Sequence, residues 1–368
     1  MELVLNDEQR LLRESAAKLI GRYAGPRAHR ALRDSEHGFD RGRIAAVAEA
    51  GWLSLLAPEA QGGLDLGMTE VALVLEEAGG GLMTEPIAAL IASAAALARG
   101  SGPTLAMAQE VMAGQTLVLP ALHDPFMEDS DADVLVATPA EDGFLLSGRT
   151  RPIPYASAAS AYLIHARTQN GVVLCLVHKG TRGLELSTRT KVDATGHASL
   201  TLTDAKVRAE DIVSSGTAAA HLAAETFDRV VFGVSAEMLG VMEQALNLAI
   251  DYMKTRQQFG RPISSFQALQ HRAVNDHIEI ELTRSLLYQI SAAIDEGRGH
   301  HAMISALKAR ASEAVLSVTK SMVQMHGAIG FTDEYDAGLY VRRAMSLAVQ
   351  YGTAAWHRKR FARLSAEA

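Results

Sequence analysis

The segment covering residues 252–270 combines side chains that suit a phosphate-rich ligand. A long helical pattern ends at Gly260, and Arg256 and Phe259 stand at that corner. The next helical pattern begins at residues 264–265, two serines that are candidate helix caps. An arginine can pair with two phosphate oxygens, and a helix amino end adds partial positive charge. The spacing fits a pyrophosphate site, and it fits a plain helix–turn–helix corner with a surface arginine equally well.

Two further segments carry glycines that would let the backbone approach a ligand closely. Residues 324–335 run from Gln324 through Gly327 and Gly330, where a helical pattern ends. In residues 51–64 a helix end runs into a glycine-rich loop. Neither segment is specific by itself, because a glycine at a helix end is usually only a cap.

The elements that must position these segments follow from the spacing of apolar residues. Residues 1–115 have helical spacing broken at glycine and proline, and residues 116–210 show short apolar runs. Residues 217–368 return to helical spacing. We predict a mainly α protein with an N-terminal all-α domain, a central antiparallel β barrel or sandwich, and a C-terminal four-helix bundle.

The β domain and the bundle each have a more specific signal. The turns before Gly143 and Gly171 contain Asp-Gly and Asn-Gly, which favour hairpins. Three apolar stripes predict long bundle helices. They are Val230, Val234, Met238, Val241, Ala245, Leu248 and Tyr252; Val274, Ile278, Leu282, Leu286 and Ile290; and Ile304, Leu307, Ala311, Val315, Val318, Met322 and Met325.

The composition of the 368-residue chain argues against several classes of partner. A net charge of −7 disfavours nucleic acid and anionic membranes, because such binding draws on clustered Lys and Arg. We interpret the basic run at 357–360 as a solvated or dimer-facing helix end. A single cysteine excludes an intrachain disulfide, and no Cys/His spacing suggests a metal. His300 and His301 are predicted to lie in a solvated loop.

The amino-terminal residues lack the basic start and apolar stretch of a signal peptide. No uncharged apolar run reaches the ~20 residues that a membrane span needs. We therefore expect a bacterial-type cytoplasm or an equivalent reducing compartment.

Taken together and in this order, the segments resemble the acyl-CoA dehydrogenase family over essentially the whole chain. The resemblance is carried by an Arg-x-x-Phe-Gly corner from Arg256, the following Phe-Gln-x-x-Gln, and the Gln-x-x-Gly-x-x-Gly segment from Gln324. Residues 255–271 look closest to the small subunits of heteromeric dehydrogenases for pimeloyl-CoA-like and steroid side-chain substrates. The resemblance implies FAD, an acyl-CoA substrate, an electron-transfer flavoprotein as acceptor, and a homo- or hetero-oligomer, dimeric or tetrameric.

The resemblance also implies roles for individual residues. They are Arg256 on the FAD pyrophosphate; Phe259 and Gln267 beside the cofactor; Gln324, Gly327, Ala328 and Gly330 towards a neighbour's FAD; Thr353 against the flavin; and Asp228 and Arg229 along the acyl and pantetheine channel.

The family's catalytic glutamate is missing from its usual position. The family reaction removes a proton next to the thioester carbonyl, which needs a base. A gapless count from Gln324 places Tyr351 at the usual glutamate, and the alternative position on the long helix holds Val230. A tyrosine with an ordinary pKa of about 10 is ionised in about one molecule in a thousand at pH 7. Asp228 is the better substitute, although two residues of helix rotate it by roughly 200° from Val230.

Glu237 is the other acidic candidate on that helix, and both carboxylates also fit structural or CoA-side roles. Two β-domain segments depart from the family pattern, the flavin loop at 123–131 and the stretch at 152–155. The leading hypothesis is a subunit whose active site is completed by a partner chain carrying the glutamate. A self-sufficient homo-oligomer using Asp228, and a non-catalytic structural or regulatory homologue, are the alternatives.

Overall fold

The computed structural model describes residues 5–123, 135–298 and 301–366. It forms two compact units that interleave along the chain. One unit comprises Met1–Arg33, Met68–Thr84 and Val231–Ala368, and the other comprises Asp34–Gly67 and Glu85–Val230. The division into domains 1–115, 116–210 and 217–368 stays a prediction.

The helices begin and end at signals that the sequence carries locally. Asn6 caps the first helix, its side chain accepting from the Gln9 amide at 2.8 Å. Gly25 adopts a φ of 106° and Pro26 opens the second helix. The helices are α1 (Asp7–Tyr23), α2 (Pro26–Ala31), α3 (Arg41–Glu49), α4 (Met68–Gly80), α5 (Ile87–Leu97), α6 (Pro103–Met112), α7 (Gly216–Thr255), α8 (Gln267–Asp295), α9 (His301–His326), α10 (Ala337–Val349) and α11 (Ala354–Ala366).

The strands of the second unit form one sheet. They are β1 (Val118–Ala121), β2 (Val136–Ala140), β3 (Gly143–Arg149), β4 (Ile153–Pro154), β5 (Ala161–Thr168), β6 (Gly171–His178), β7 (Leu184–Thr190), β8 (Gly196–Val207) and β9 (Ile212–Ser215).

The main path of that sheet is β4-β8-β3-β2-β5-β6-β9, with β1 on β5 and β7 on β8. Both predicted hairpins are confirmed, because β2 pairs with β3 and β5 with β6 across two-residue turns. Gly143 and Gly171 follow those turns with φ of 96° and 122°. The sheet is mixed rather than purely antiparallel, since β5 runs parallel to β1 and β2.

The C-terminal helices of the first unit pack around α9. This helix contacts α8, α10 and α11, and its predicted stripe is buried from Ile304 to Met325. In the described part of the chain, no helix is long and apolar enough to cross a membrane.

Most of the stripe predicted on α8 does not face the core of this chain, which corrects the prediction, although its last member, Ile290, is buried. Val274, Ile278 and Leu282 are 54, 47 and 51% exposed. The face of α8 that is buried carries Ile280 and Leu287 instead. Periodicity identifies an apolar face but not what covers it. We infer that another chain covers this face of α8.

Replacing Ile278 with glutamate should therefore dissociate the assembly. A charge buried in an apolar contact without a counter-charge costs several kcal/mol. Light scattering after gel filtration should show a smaller species than the wild type. The matched control is Gln109→Glu, which adds the same charge at an exposed position on another helix, α6. An unchanged mass for Ile278→Glu would contradict the inference.

Candidate functional site

The corner at Arg256 is a short hairpin. α7 ends at Thr255, earlier than the predicted end at Gly260, and two further strands follow, β10 (Gln257–Gln258) and β11 (Arg261–Pro262). The Ile263 amide donates to the Arg256 carbonyl at 2.8 Å, closing the hairpin. The chain reverses direction in the turn of this hairpin, where Phe259 and Gly260 adopt positive φ values of 54° and 77°. These values are incompatible with a continuing α-helix, so α7 ends before the turn.

The side chains of this hairpin leave Arg256 available for a ligand. Arg261 lies over the Phe266 ring, 4.3 Å from its centroid, so its charge is used within the corner. Phe259 meets the same ring edge-on at 6.1 Å but is itself 91% exposed. The Arg256 side chain is exposed, and its guanidinium makes no ion pair or hydrogen bond with another described residue. An open guanidinium next to an exposed aromatic ring suits a phosphate-bearing aromatic cofactor.

The start of α8 differs from the prediction, because neither serine caps it. Phe266 is the N-cap residue and makes no side-chain cap. Ser265 Oγ donates to the Pro262 carbonyl at 2.7 Å, and the Ser264 carbonyl accepts from Gln270 Nε2 at 2.9 Å. The serines serve the turn that precedes the helix. The first amides of α8 therefore lack a side-chain cap, and Gln267 stands exposed beside them.

The second motif forms the end of α9 and a 3-10 turn over Gly327–Phe331. Gly327 has a φ of 67°, which explains the glycine. Gln324, Gly327 and Ala328 are exposed, whereas Gly330 is buried. A Cβ on Gly330 would lie 3.0 Å from the Val323 carbonyl oxygen. Gly330 thus serves the packing of its own helix end, and the other three are the accessible members.

An aromatic cluster around the buried His326 fixes this helix end, and the sequence did not predict a role for it. His326 Nδ1 lies 2.8 Å from the Met322 carbonyl, so this nitrogen carries the proton. Its Nε2 then accepts from the Tyr335 hydroxyl at 3.1 Å. The Tyr252 ring, in the last turns of α7, lies 4.6 Å from the imidazole centroid. Burial lowers the pKa of His326, which keeps the imidazole neutral.

Tyr351 stands in a tight turn between α10 and α11. It is half-buried with a φ of 55°, and Gly352 follows with a φ of 113°. Thr353 Oγ1 accepts from the Trp356 amide at 3.3 Å and so caps α11. His357 Nε2 lies 2.9 Å from the Tyr351 carbonyl. The turn is thus held from the α11 side by a cap and by an imidazole.

Half of the basic run at 357–360 is buried, which corrects its interpretation as a solvated helix end, while the dimer-facing alternative stays a prediction. His357 and Arg360 are 0 and 1% exposed, while Arg358 and Lys359 face solvent. Arg358 pairs with Glu313 on α9. The helical period explains the error, since residues 357 and 360 share the inner face of α11.

The acidic candidates on α7 have different surroundings. Asp228 is 1% exposed and Val230 is fully buried. Arg229 pairs with Glu225 at 2.5 Å, and burial lowers its pKa. Glu237 is bound by Arg343 at 2.9 Å in the interior, which fits a structural role better than that of a base.

The altered β-domain segments are described only in part. The loop at 123–131 lies outside the described residues apart from His123. In the other segment, Tyr155 is buried with a φ of 62° and meets the Phe39 ring edge-on at 5.8 Å. Within residues 5–123, 135–298 and 301–366, no group of three His, Cys, Asp or Glu side chains could hold a metal ion.

Comparisons with known proteins agree with this arrangement. The family "Acyl-CoA dehydrogenase, N-terminal domain" matches residues 6–114, and "Acyl-CoA dehydrogenase, C-terminal domain" matches residues 220–365. The acyl-CoA dehydrogenase FadE27 of Mycobacterium tuberculosis is 30% identical over 93% of this chain and 92% of its own. The crystal structure of the ChsE4-ChsE5 complex from Mycobacterium tuberculosis matches with a TM-score of 0.91 at 27% identity, covering 100% of both chains. A variant of the Tcur3481-Tcur3483 steroid ACAD matches with a TM-score of 0.88 at 29% identity over 98% of each chain.

Proposed function

Because this chain belongs to the acyl-CoA dehydrogenase family, we propose that it is a FAD-dependent subunit of an enzyme that desaturates an acyl-CoA thioester between its α and β carbons. A partner chain supplies the carboxylate that removes the α proton. An electron-transfer flavoprotein accepts the electrons, and the complex works in the cytoplasm.

The main support for this proposal is the identity of Tyr351 in the turn between α10 and α11. The turn is fixed by the Thr353 cap and by His357, and the residue at the usual glutamate position is Tyr351. A fixed turn with a phenol in place of a carboxylate supports a base from elsewhere. Glu237 is paired with Arg343 in the interior, which favours a structural role for this carboxylate over that of the base.

The residues at the Arg256 hairpin fit a bound FAD. The open guanidinium of Arg256 can bind a pyrophosphate, and the uncapped amides at the start of α8 add partial positive charge. Phe259 and Gln267 offer an exposed ring and an amide at the same corner. When bound, FAD supplies the acceptor for the hydride that leaves the β carbon. Gln324, Gly327 and Ala328 are accessible to the cofactor of a neighbouring subunit.

The relatives support a two-chain assembly and suggest a substrate class. Two matched structures are named as pairs of chains, ChsE4-ChsE5 and Tcur3481-Tcur3483, and the latter is called a steroid ACAD. The exposed α8 face around Ile278 provides a surface for such a partner. We propose acyl-CoA thioesters of steroid side chains or of similarly bulky acids as substrates.

The test is to purify the chain alone and co-expressed with a genomic neighbour that retains Glu-Gly-Thr near its carboxy terminus. We expect the pair to be yellow and its flavin absorbance to bleach on adding a suitable acyl-CoA. The chain alone should bleach nothing. An Arg256→Ala variant of the pair should lose FAD affinity, by about 10- to 100-fold for a charged hydrogen-bonded contact. Arg261→Ala is the control, because the Arg261 guanidinium stacks over the Phe266 ring and is not proposed to contact FAD.

The alternatives predict different outcomes of the same experiment. A self-sufficient homo-oligomer using Asp228 would bleach without the neighbour and would lose that activity in Asp228→Asn. A non-catalytic homologue would bind no FAD alone or with the neighbour.

A further inference from the structure

Lys308 is a fully buried lysine in the first third of α9. Its Nζ lies 3.0 Å from Ser312 Oγ and 3.0 Å from the Ala348 carbonyl oxygen. The carbonyl oxygens of Leu347 and Gly352 lie 3.3 and 3.2 Å away. An ammonium group is costly to bury unless it is fully hydrogen-bonded. These acceptors therefore have to hold the amine in one place.

The acceptors are the carbonyls at the end of α10 and in the turn that follows. The last carbonyls of a helix have no intrahelical partner and form the negative end of its dipole. Burial lowers the pKa of Lys308 to about 7. Ser312 Oγ donates to the Ala348 carbonyl at 3.1 Å, so it joins the same cap. Lys308 thus ties the end of α10 to Gly352.

A second chain of hydrogen bonds reaches the same turn from α11. Arg360 Nη1 donates to Ser305 Oγ at 2.9 Å, and Ser305 Oγ lies 3.3 Å from His357 Nδ1. His357 Nε2 then donates to the Tyr351 carbonyl at 2.9 Å. Burial lowers the pKa of His357, and a neutral imidazole with its proton on Nε2 fits both contacts. The adjacent carbonyls of Tyr351 and Gly352 are therefore both bound by interior side chains.

These contacts explain how the turn keeps an unfavourable backbone. Tyr351 has a φ of 55°, a region that bulky residues rarely occupy. A Cβ on Gly352 would approach His357 Nε2 to 2.8 Å. Such a conformation persists only where the surrounding structure over-determines it, and strained turns of this kind concentrate at functional sites.

We propose that Lys308 is a positioning residue for the active site: by binding the end of α10 and the Gly352 carbonyl, it fixes residues 351–353 where Thr353 meets the flavin and Tyr351 shapes the substrate pocket. The inference rests on the proposed function for those last two roles. The fixing of the turn stands on the contacts of Lys308 itself.

The test replaces Lys308 with methionine, which keeps the length of the side chain and removes its charge and donors. In the chain alone, amide hydrogen exchange of residues 350–357 should accelerate by about tenfold or more. In the co-expressed pair, the FAD dissociation constant should rise by about tenfold, and kcat should fall more than KM changes. Ser312→Ala, a milder change to the same cap, should shift all three readouts in the same direction by less. If Lys308→Met does not fold, the Ser312→Ala variant alone tests whether this cap fixes the turn.

The matched control is Leu307→Ala at the neighbouring buried position on α9, which lowers stability through a side chain that makes none of the hydrogen bonds of this network. It should lower Tm and leave exchange at residues 350–357 and FAD affinity close to wild type. The proposal is overturned if Lys308→Met or Ser312→Ala leaves exchange at the turn unchanged, or if Leu307→Ala reproduces both effects. If the wild-type pair binds no FAD, the proposed function fails, and hydrogen exchange alone still decides whether Lys308 fixes the turn.

Discussion

Replacing Tyr351 with phenylalanine should leave kcat of the co-expressed pair within about twofold of wild type. The substitution removes only the phenol oxygen and keeps the ring that occupies the turn. Converting the partner's Glu-Gly-Thr glutamate to glutamine should instead lower kcat by about 10²- to 10⁴-fold, the usual contribution of a positioned base. The first variant removes a candidate proton acceptor from this chain, and the second removes one from the partner chain. Steady-state kinetics over a range of pH, with the same acyl-CoA, is the measurement.

The opposite result would place the base in this chain. A loss of a hundredfold or more in Tyr351→Phe, with activity retained in the partner variant, would make the phenol the proton acceptor. An Asp228→Asn arm completes the comparison, because that residue is the remaining acidic candidate of the sequence analysis. If Asp228→Asn alone abolishes turnover and the partner variant does not, the self-sufficient alternative is correct.

Breaking the buried pair between Glu237 and Arg343 should cause a large loss of stability. The two side chains are 7 and 1% exposed, and Arg343 Nη2 lies 2.9 Å from Glu237 Oε2. Removing one member leaves the other as a poorly compensated charge in the interior, which costs about 3–5 kcal/mol. Arg343→Met should therefore lower the free energy of unfolding by that amount, measured by denaturant titration. The pair ties α7 to α10, the helix that leads into the Tyr351 turn.

The double variant Glu237→Leu with Arg343→Met is the control for this prediction. It removes both charges and fills the space with apolar atoms, so most of the lost stability should return. A double variant as unstable as Arg343→Met would mean that the arginine acts mainly through its other contacts. A fully stable Arg343→Met would contradict the structural role of the pair and return Glu237 to the list of candidate bases.

The close packing of α4 and α7 illustrates what sequence alone left unexplained. A run of three glycines at 79–81 has no preceding strand and so does not suggest a dinucleotide site. In the structure, a Cβ on Gly79 would lie 2.0 Å from the Glu237 carbonyl oxygen. A Cβ on Gly240 would lie 1.8 Å from the Glu76 carbonyl oxygen. These two glycines let the helices meet backbone to backbone, a reason visible only when both are seen together.

Local chemistry determined much of this protein from the sequence. Asp-Gly and Asn-Gly turns predicted both hairpins, because φ preferences depend on the residues in the turn itself. The period of apolar residues predicted α9 and its buried face. The motifs at Arg256 and Gln324 identified the family, and a gapless count predicted Tyr351 at the position of its usual glutamate. Each of these inferences needs only neighbouring residues or a fixed spacing.

Only the tertiary structure decided which side chains act together at the Tyr351 turn. Lys308 binds carbonyls 39, 40 and 44 residues further along the chain, and no local pattern marks it. The apolar face of α8 lies exposed, and two members of an apparently solvated basic run are buried, because burial depends on what packs against a helix. The sequence predicts that Tyr351 occupies the position of the usual base. The packing shows that the turn is nevertheless held in place, since contacts between distant residues, and not the local pattern, fix it.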